Sequence, residues 1–519
     1  MTKKVGEIWS FPRHESEIPE ELHIGYVYQT QYLDGTLQTH HGAFQEVFSP
    51  IIDDRPSAKF TNFRLGQYPL MTVQQAESVL NTAVRTWNLG LGEWPRMPWQ
   101  QRITHIEKFV ELMKFRREKI VRLLMWEIGK SSKDSYKEFD RTIEYIEKTI
   151  IECRLLNQGT DEFRETEGVL TRVPRTPIGV VLCMGPFNYP LNETLTVIIP
   201  ALIMGNVVIY KPAKYGVLLM EPLLECFAEA FPSGVVGSLY GDGATVITPL
   251  MQSGKIDCLA FIGSGKVADM IIKSHPYPHR LRTILGLGAK NPAVVFANAD
   301  IDLAVKECIS GSLSFNGQRC TAIKIIFVQK LIADEFVQKF SEAVDVLPLG
   351  MPWDDKHLNE GPIQTPMPEV GKIDWMGDYI TDALMKGAES KNFRAGAPYD
   401  TMMIPAVLYP CNSLMKIYHE EQFGPIVPIV PYDDFAEVID YMEHSPFGQQ
   451  ISLFTPANID TTLVTQLANM VCRININSQC QRGPDILPFT GRKDSAMGTL
   501  SIYDALRSFS IRTVIAKKE

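Results

Sequence analysis

Between residues 179 and 300 the chain alternates short apolar runs with helical stretches, and this alternation restricts its possible folds more than any other feature. The runs IGVVLCM, NVVIYKP, VVGSLYG and DCLAFIGS are followed by helical spacing that starts at or near Leu191, Leu218, Ala244 and Lys266. Apolar runs without polar alternation are strands covered on both faces, and helices between them make a doubly wound parallel sheet. A second stretch of the same kind runs from residue 285 to about 475, through PAVVFANAD, a helix from Ile301, IKIIFVQ, a helix from Asp334, PIVPIV and ISLFT. The predicted class is α/β with two doubly wound domains, which suits a chain of 519 residues because single cores stop growing at roughly 250 to 300.

Outside these stretches the pattern changes. Residues 72–151 carry helical apolar spacing, as at Ile106, Phe109, Val110 and Met113, and predict two or three long helices. The first 70 residues are polar, with a short strand pair around residues 32–35 and 46–52 and a surface pair, His40 and His41. GVLTRVP at 168–174 and FSIRTVIAKK at 509–518 read as outlying strands that pair with each other or with a second chain.

Charge and cysteine content narrow the functional classes. A net charge of −9 without a Lys/Arg run gives no footprint for nucleic acid. The longest apolar stretch, 196–210, is shorter than the roughly 20 residues a bilayer needs and contains Pro200 and Gly205, so no membrane span is predicted. The N-terminus lacks a secretory apolar region. Nine scattered cysteines without a CxxC pair fit reduced thiols, and the predicted location is cytoplasmic.

Several segments are candidates for chemistry. FIGSG at 261–265 closes a strand and opens a helix, which is either a phosphate-receiving turn or an ordinary strand-to-helix connection. KPAK at 211–214 lies at the carboxyl end of a predicted parallel strand, where open sheets bind ligands, and otherwise reads as a solvated loop with two lysines. GKS at 129–131 lacks the upstream glycine of a P-loop. His275 and His279 are separated by prolines that forbid the helix needed to bring them onto one face, so no metal site is predicted. In SFNGQRCTAIK at 314–324, Cys320 follows a glycine turn and adjoins Arg319, a cation expected to lower the thiol pKa and make a nucleophile; the alternative is a structural cysteine.

Taken together, these motifs resemble the aldehyde dehydrogenase superfamily from about residue 32 to residue 518. PFNYPLN (186–192), KPAK, PSGVVGSLYGDG (232–243), FIGSG, GLGAKNP (286–292), GQRC (317–320), EEQFGP (420–425) and LPFTGRKDS (487–495) stand in the family's order. The resemblance implies a dinucleotide-binding domain over 1–157 and 175–285, a catalytic domain over 286–485, and an oligomerisation flap of 158–174 and 505–519 in a homodimer or homotetramer. FNYP, GQRC and QRGPD (481–485) look most like the non-phosphorylating, NADP-dependent glyceraldehyde-3-phosphate dehydrogenases. By this likeness Cys320 is the nucleophile and Asn188 half of the oxyanion hole. Lys211, Lys214, Gly263, Ser264, Leu287, Glu421 and Phe423 hold the cofactor, and Arg141, Tyr189, Arg319 and Arg482 surround the substrate. Family members that prefer NAD usually carry Glu where Lys214 stands; a cation there suits the 2′-phosphate of NADP, with NAD also possible. Several guanidiniums suit a small anionic aldehyde, with glyceraldehyde 3-phosphate as the first candidate.

The chain departs from the family at one place. The usual LELGGK, whose Glu is the base for thioester hydrolysis, reads Leu285, Gly286, Leu287, Gly288, Ala289, Lys290. Three readings follow: another carboxylate serves, the acyl group passes to coenzyme A, or the protein is a deacylation-impaired nucleotide-binding relative.

Overall fold

The computed structural model describes residues 12, 17–53, 61–354, 363–456 and 461–518. Two parallel sheets dominate it. The first contains β1 (Val180–Met184), β2 (Val207–Lys211), β3 (Val236–Ser238), β4 (Cys258–Ile262) and β5 (Arg282–Gly286). The second contains β6 (Asn291–Val295), β7 (Ile323–Gln329), β8 (Ala406–Tyr409), β9 (Ile426–Tyr432), β10 (Gln450–Phe454) and β11 (Arg473–Ile476). A short strand, β12 (Ala496–Met497), closes the first sheet antiparallel to β5.

In the first sheet the order is β3-β2-β1-β4-β5-β12. The chain leaves β1 towards β2 and β3, then crosses back to β4 on the other side, so the sheet reverses winding between β1 and β4. Ligands of such sheets bind at the carboxyl ends beside that reversal. In the second sheet the order β8-β9-β7-β6-β10-β11 is extended by the antiparallel edge Glu389–Ser390. Its core strands bury alternate residues on opposite faces: Val294 and Phe327 pack into one apolar cluster, and Ala293, Val295, Ile326 and Val328 into another.

Four helices position the cavity between the sheets. α1 (Ser132–Asn157) begins at Ser131, whose hydroxyl accepts from the Asp134 amide. α2 (Asn192–Ile203) joins β1 to β2, and every residue in it except Glu193 is buried. α3 (Gly265–Ser274) follows β4 and is capped by Ser264. α4 (Ile301–Leu313) follows β6 and ends at the turn that leads to Cys320.

The outlying strands pair with each other. Val169–Arg172 lies between Arg164–Thr166 and Ile515–Lys517, all antiparallel, while Ser510–Arg512 pairs with Arg175–Pro177. The C-terminal strand is therefore two strands. Three N-terminal expectations are corrected. Gln31–Asp34 and Phe44–Asp53 do not pair together: the first forms a hairpin with Thr36–Thr39 and the second pairs with Thr61–Pro69. His40 is buried, with Nε2 against the Ala43 carbonyl and Nδ1 against Gln75, while His41 is exposed. The helical region contains four helices of three or more turns, because breaks at Asn88 and Phe115 divide what the spacing alone joins. Among the described residues no helix is long and apolar enough to cross a membrane.

Candidate active site

A cavity of about 830 Å³ opens at the carboxyl ends of β1, β2, β4 and β5, facing the turn that carries Cys320. Every residue named from the sequence as catalytic, cofactor-binding or substrate-binding lines it.

The cysteine turn is built from unusual backbone. Phe315, Asn316 and Gly317 have φ of 51, 55 and 68°, a left-handed run that L side chains rarely adopt. At Gly317 a Cβ would lie 2.7 Å from the carbonyl oxygens of both Ser312 and Gly424, so only glycine fits. Neighbouring side chains hold the turn. Asn316 donates to the Thr365 carbonyl at 2.9 Å and accepts from the Thr365 amide at 2.9 Å. Lys324 Nζ donates to the carbonyls of Gly317 (2.9 Å) and Gln422 (2.8 Å), and Asn291 Nδ2 donates to the Cys320 carbonyl at 2.9 Å.

Cys320 itself is half-buried and free. Its thiol is pushed up to about 11 by burial and by the carboxylates of Glu193 and Glu421, against the weaker pull of Arg482 and Lys324. This corrects the expectation that Arg319 lowers it. Arg319 Nη2 instead donates to the Ser310 (3.1 Å) and Gly311 (2.7 Å) carbonyls at the end of α4, and adjacency in sequence does not become a charge contact.

Asn188, just beyond β1, is 5% exposed and donates one Nδ2 hydrogen to the Gln318 carbonyl at 2.8 Å. The Nδ2 group carries a second amide hydrogen beyond this bond. The Asn188 carbonyl accepts from Lys130 Nζ at 2.7 Å, and the same ammonium pairs with Glu138 and lies 3.7 Å from the Tyr189 ring centroid. Thus the lysine of GKS is a buried strut beneath the PFNYPLN turn.

One wall, formed by the first sheet and by the loop that precedes β9, offers backbone and isolated charges. Ser264 caps α3, its Oγ accepting from the Val267 amide at 3.4 Å, and a Cβ at Gly265 would meet nothing within 4 Å, which leaves the helix N-terminus open to a phosphate. Gly263 donates to the Gly286 carbonyl at 2.9 Å, and Leu287 to the Ser495 carbonyl at 2.9 Å. Lys211 is lowered to about 8 by burial, with Asp242 opposing; Lys214 is exposed and makes no salt bridge among the described residues. Glu421 is raised by burial despite Lys324, whose Nζ is 4.0 Å away, and its Oε1 is buried without a hydrogen-bond partner. Phe423 packs edge-on to Phe187 at 5.8 Å. An orphaned carboxylate oxygen, an open helix N-terminus and an unpaired lysine suit the hydroxyls and phosphates of a dinucleotide.

The opposite wall is a cluster of ion pairs. Arg141 grips Asp485 in bidentate fashion at 2.6 and 2.8 Å; Arg482 pairs with Glu193 and lies 3.4 Å from Asp485. Burial raises the Asp485 carboxyl, but the bonds from Arg141 and the charge of Arg482 outweigh it, and the net shift is downward. Two of the three arginines thus already face carboxylates. Arg319 Nε and Arg482 Nη2 remain buried without partners.

Sequence reading did not single out Glu193, Asp485, Asn291, Lys324 or the Lys130–Glu138 pair. For Glu193 a signal existed: it is the only charged residue in a helix whose other residues are all buried. At Gly286 the structure has no side chain, and a Cβ would make only ordinary contacts, 3.4 and 3.5 Å from Ile262.

Residues 56–515 match the family model described as the aldehyde dehydrogenase family. The chain is 32% identical over 462 residues to the NADP-dependent glyceraldehyde-3-phosphate dehydrogenase of Streptococcus equinus, covering 87% of this chain and 93% of that protein. It is 31% identical to the enzyme of the same name from Apium graveolens, covering 87% and 90%. The crystal structure of NADP-dependent glyceraldehyde-3-phosphate dehydrogenase from Bacillus halodurans, complexed with NADP, superposes with a TM-score of 0.84 at 29% identity over 95% of this chain and 99% of that one.

Proposed function

The chain belongs to the aldehyde dehydrogenase family, and from that premise we propose that it oxidises a small anionic aldehyde, first among them glyceraldehyde 3-phosphate, with NADP as the preferred acceptor. The observation that carries the substrate reading is the pair of unpartnered guanidinium donors, Arg319 Nε and Arg482 Nη2, in the same cavity as a half-buried thiol. Buried donors without acceptors are costly, and an anion relieves them. Arg141 and Tyr189 complete the substrate wall.

In this reading the Cys320 thiol gives up its proton to solvent, and its Sγ bonds to the aldehyde carbon as the carbonyl π electrons move to oxygen. The resulting oxyanion accepts from Asn188 Nδ2 and from the Cys320 amide, donors that do not have to reorganise as charge develops. NADP, when bound, supplies the hydride acceptor that turns the thiohemiacetal into a thioester. Lys211 and Glu421 would hold its riboses, the turn at Gly263 and Ser264 its pyrophosphate, Leu287 and Phe423 its apolar faces, and Lys214 its 2′-phosphate. The acyl group then leaves to water; transfer to coenzyme A is the second reading, favoured by the lack of a carboxylate at Gly286. The exposed flap edges Arg164–Thr166 and Ile515–Lys517 support pairing of copies into a homodimer or homotetramer.

Rapid mixing of enzyme, NADP and glyceraldehyde 3-phosphate, followed at the NADPH absorbance band, tests this. The expected result is NADPH formation from the first turnover, faster with NADP than with NAD. Absence of NADPH with this and other small anionic aldehydes would overturn the reading; dependence of steady turnover on added coenzyme A would select the second.

A further inference from the structure

Hydrolysis of a thioester on Cys320 needs a group that removes a proton from water, and Gly286 has none. Two carboxylates of the cavity, Glu193 and Glu421, act on the Cys320 thiol, and of the charges around it Glu193 acts most strongly. Glu421 is committed to the cofactor wall, beside Lys324. Glu193 stands on the substrate wall, in the first turn of α2, four residues beyond Tyr189, whose carbonyl accepts its amide at 3.0 Å. Its side chain is 12% exposed and lines the cavity with Cys320 and Asn188.

The one charge on α2 faces the buried guanidinium of Arg482. The remaining residues of the helix are buried, and an ionised group at a helix face of that kind is costly unless it has work or a partner. Its partner, Arg482, has a second claim on it from Asp485. An anionic substrate bound at Arg482 competes for that same guanidinium and leaves the carboxylate of Glu193 facing the cavity with fewer donors.

We propose that Glu193 is the general base of deacylation in this chain, taking the place of the carboxylate missing at Gly286. Resting on the Cys320 acyl chemistry proposed above, the step is as follows. Glu193 accepts a proton from a water whose oxygen bonds to the thioester carbon. The tetrahedral oxyanion is held by Asn188 and the Cys320 amide, and its collapse breaks the C–S bond. The acid departs, and the proton on Glu193 returns to the Cys320 thiolate. No further reactant is consumed. The charged and titratable groups around Glu193 are Arg482, Arg141, Lys130, Tyr145 and Cys320.

The test is Glu193→Gln in the full-length enzyme with NADP and glyceraldehyde 3-phosphate. The expected result is a stoichiometric burst of NADPH followed by steady turnover about 10² to 10⁴-fold slower than that of the unmodified enzyme, the range general bases supply. Hydroxylamine, a nucleophile that needs no base, should accelerate that slow phase. A carboxylate restored by Gly286→Glu in the same background should do likewise, since a Cβ there makes only ordinary contacts. Unchanged steady turnover in Glu193→Gln, or loss of burst and turnover together, would overturn the proposal. Absence of NADPH from the unmodified enzyme as well would show that the acyl chemistry itself is wrong. Should Glu193→Gln fail to fold, Glu193→Asp keeps the charge and shortens the reach; a burst with slowed turnover supports the assignment, and wild-type turnover refutes it.

Discussion

The two walls of the cavity solve the problem of buried charge in opposite ways. On the wall opposite the ion-pair cluster, Lys211 at the end of β2 and Glu421 on the loop before β9 stand in poorly solvated positions with few protein partners, and burial shifts each towards its neutral form. On the substrate wall, Arg141, Arg482, Glu193 and Asp485 form a mutually compensated set in which burial is outweighed and each arginine stays charged. A site that leaves its ions unpaired is waiting for a ligand to complete it. A site that pairs them internally offers an incoming anion only the donors its own carboxylates leave over, here Arg319 Nε and Arg482 Nη2, and the anion shares Arg482 with Glu193 and Asp485. The difference teaches where affinity and selectivity are set: by completion on one wall and by competition on the other.

Substitutions can break this contrast, the most severe at the junction between the walls. Cys320→Ser is expected to lower NADPH formation by roughly 10⁶-fold, the loss typical of removing a nucleophile, in single-turnover assays. Asn188→Ala should lower kcat by about 10² to 10³-fold with little change in KM, since its amide serves the oxyanion more than the ground state. On the completing wall, Lys214→Glu should shift the ratio of kcat/KM for NADP over NAD towards NAD by roughly 10 to 100-fold, the worth of one charge-assisted contact. On the competing wall the effect falls on stability. Asp485→Asn leaves Arg141 without its bidentate partner and should cost about 2 kcal/mol in denaturant titration, less than a fully buried pair because Arg141 is a quarter exposed. The sign with pH follows from the lowered Asp485 carboxyl: its contribution is present above the ordinary carboxyl range near pH 4 and disappears as pH falls through the lower folded value. Asp485→Asn should therefore flatten the acid limb of stability, and an unchanged limb would show that the cluster is not compensated as described.

The same contrast explains what the sequence could disclose. The first-sheet wall is made of strand ends and the turns directly after them, so KPAK and FIGSG carry it in consecutive residues. The substrate wall joins Arg141 to Asp485 and Glu193 to Arg482, pairs brought together only by the tertiary fold, and no local pattern reports them. Strands β1–β4, β6, β7, β9 and β10 were legible because their apolar runs are unbroken, whereas the shorter or more polar β5 (RTILG), β8 (AVLY), β11 (RINI) and β12 (AM) were not read as strands. The helix expected from Asp334 begins at Lys330 instead, with no side-chain cap to mark its start, and the edge strand Glu389–Ser390 is too short and polar to show a period. Arg319 misled for the complementary reason: its neighbour in sequence is Cys320, but its guanidinium reaches back to the end of α4.

Burial of the Cys320 thiol has a consequence for the enzyme at rest. A group titrating near 11 is ionised in only about one molecule in ten thousand at pH 7, and oxidants and alkylating agents attack the thiolate. In the structure as it stands, the Cys320 thiol is thus held in its protonated form. Of the nine cysteines only Cys472 is exposed, and it lies outside the residues that line the cavity. Burial raises the Cys472 thiol as well, so its exposure, rather than its ionisation, distinguishes it from Cys320.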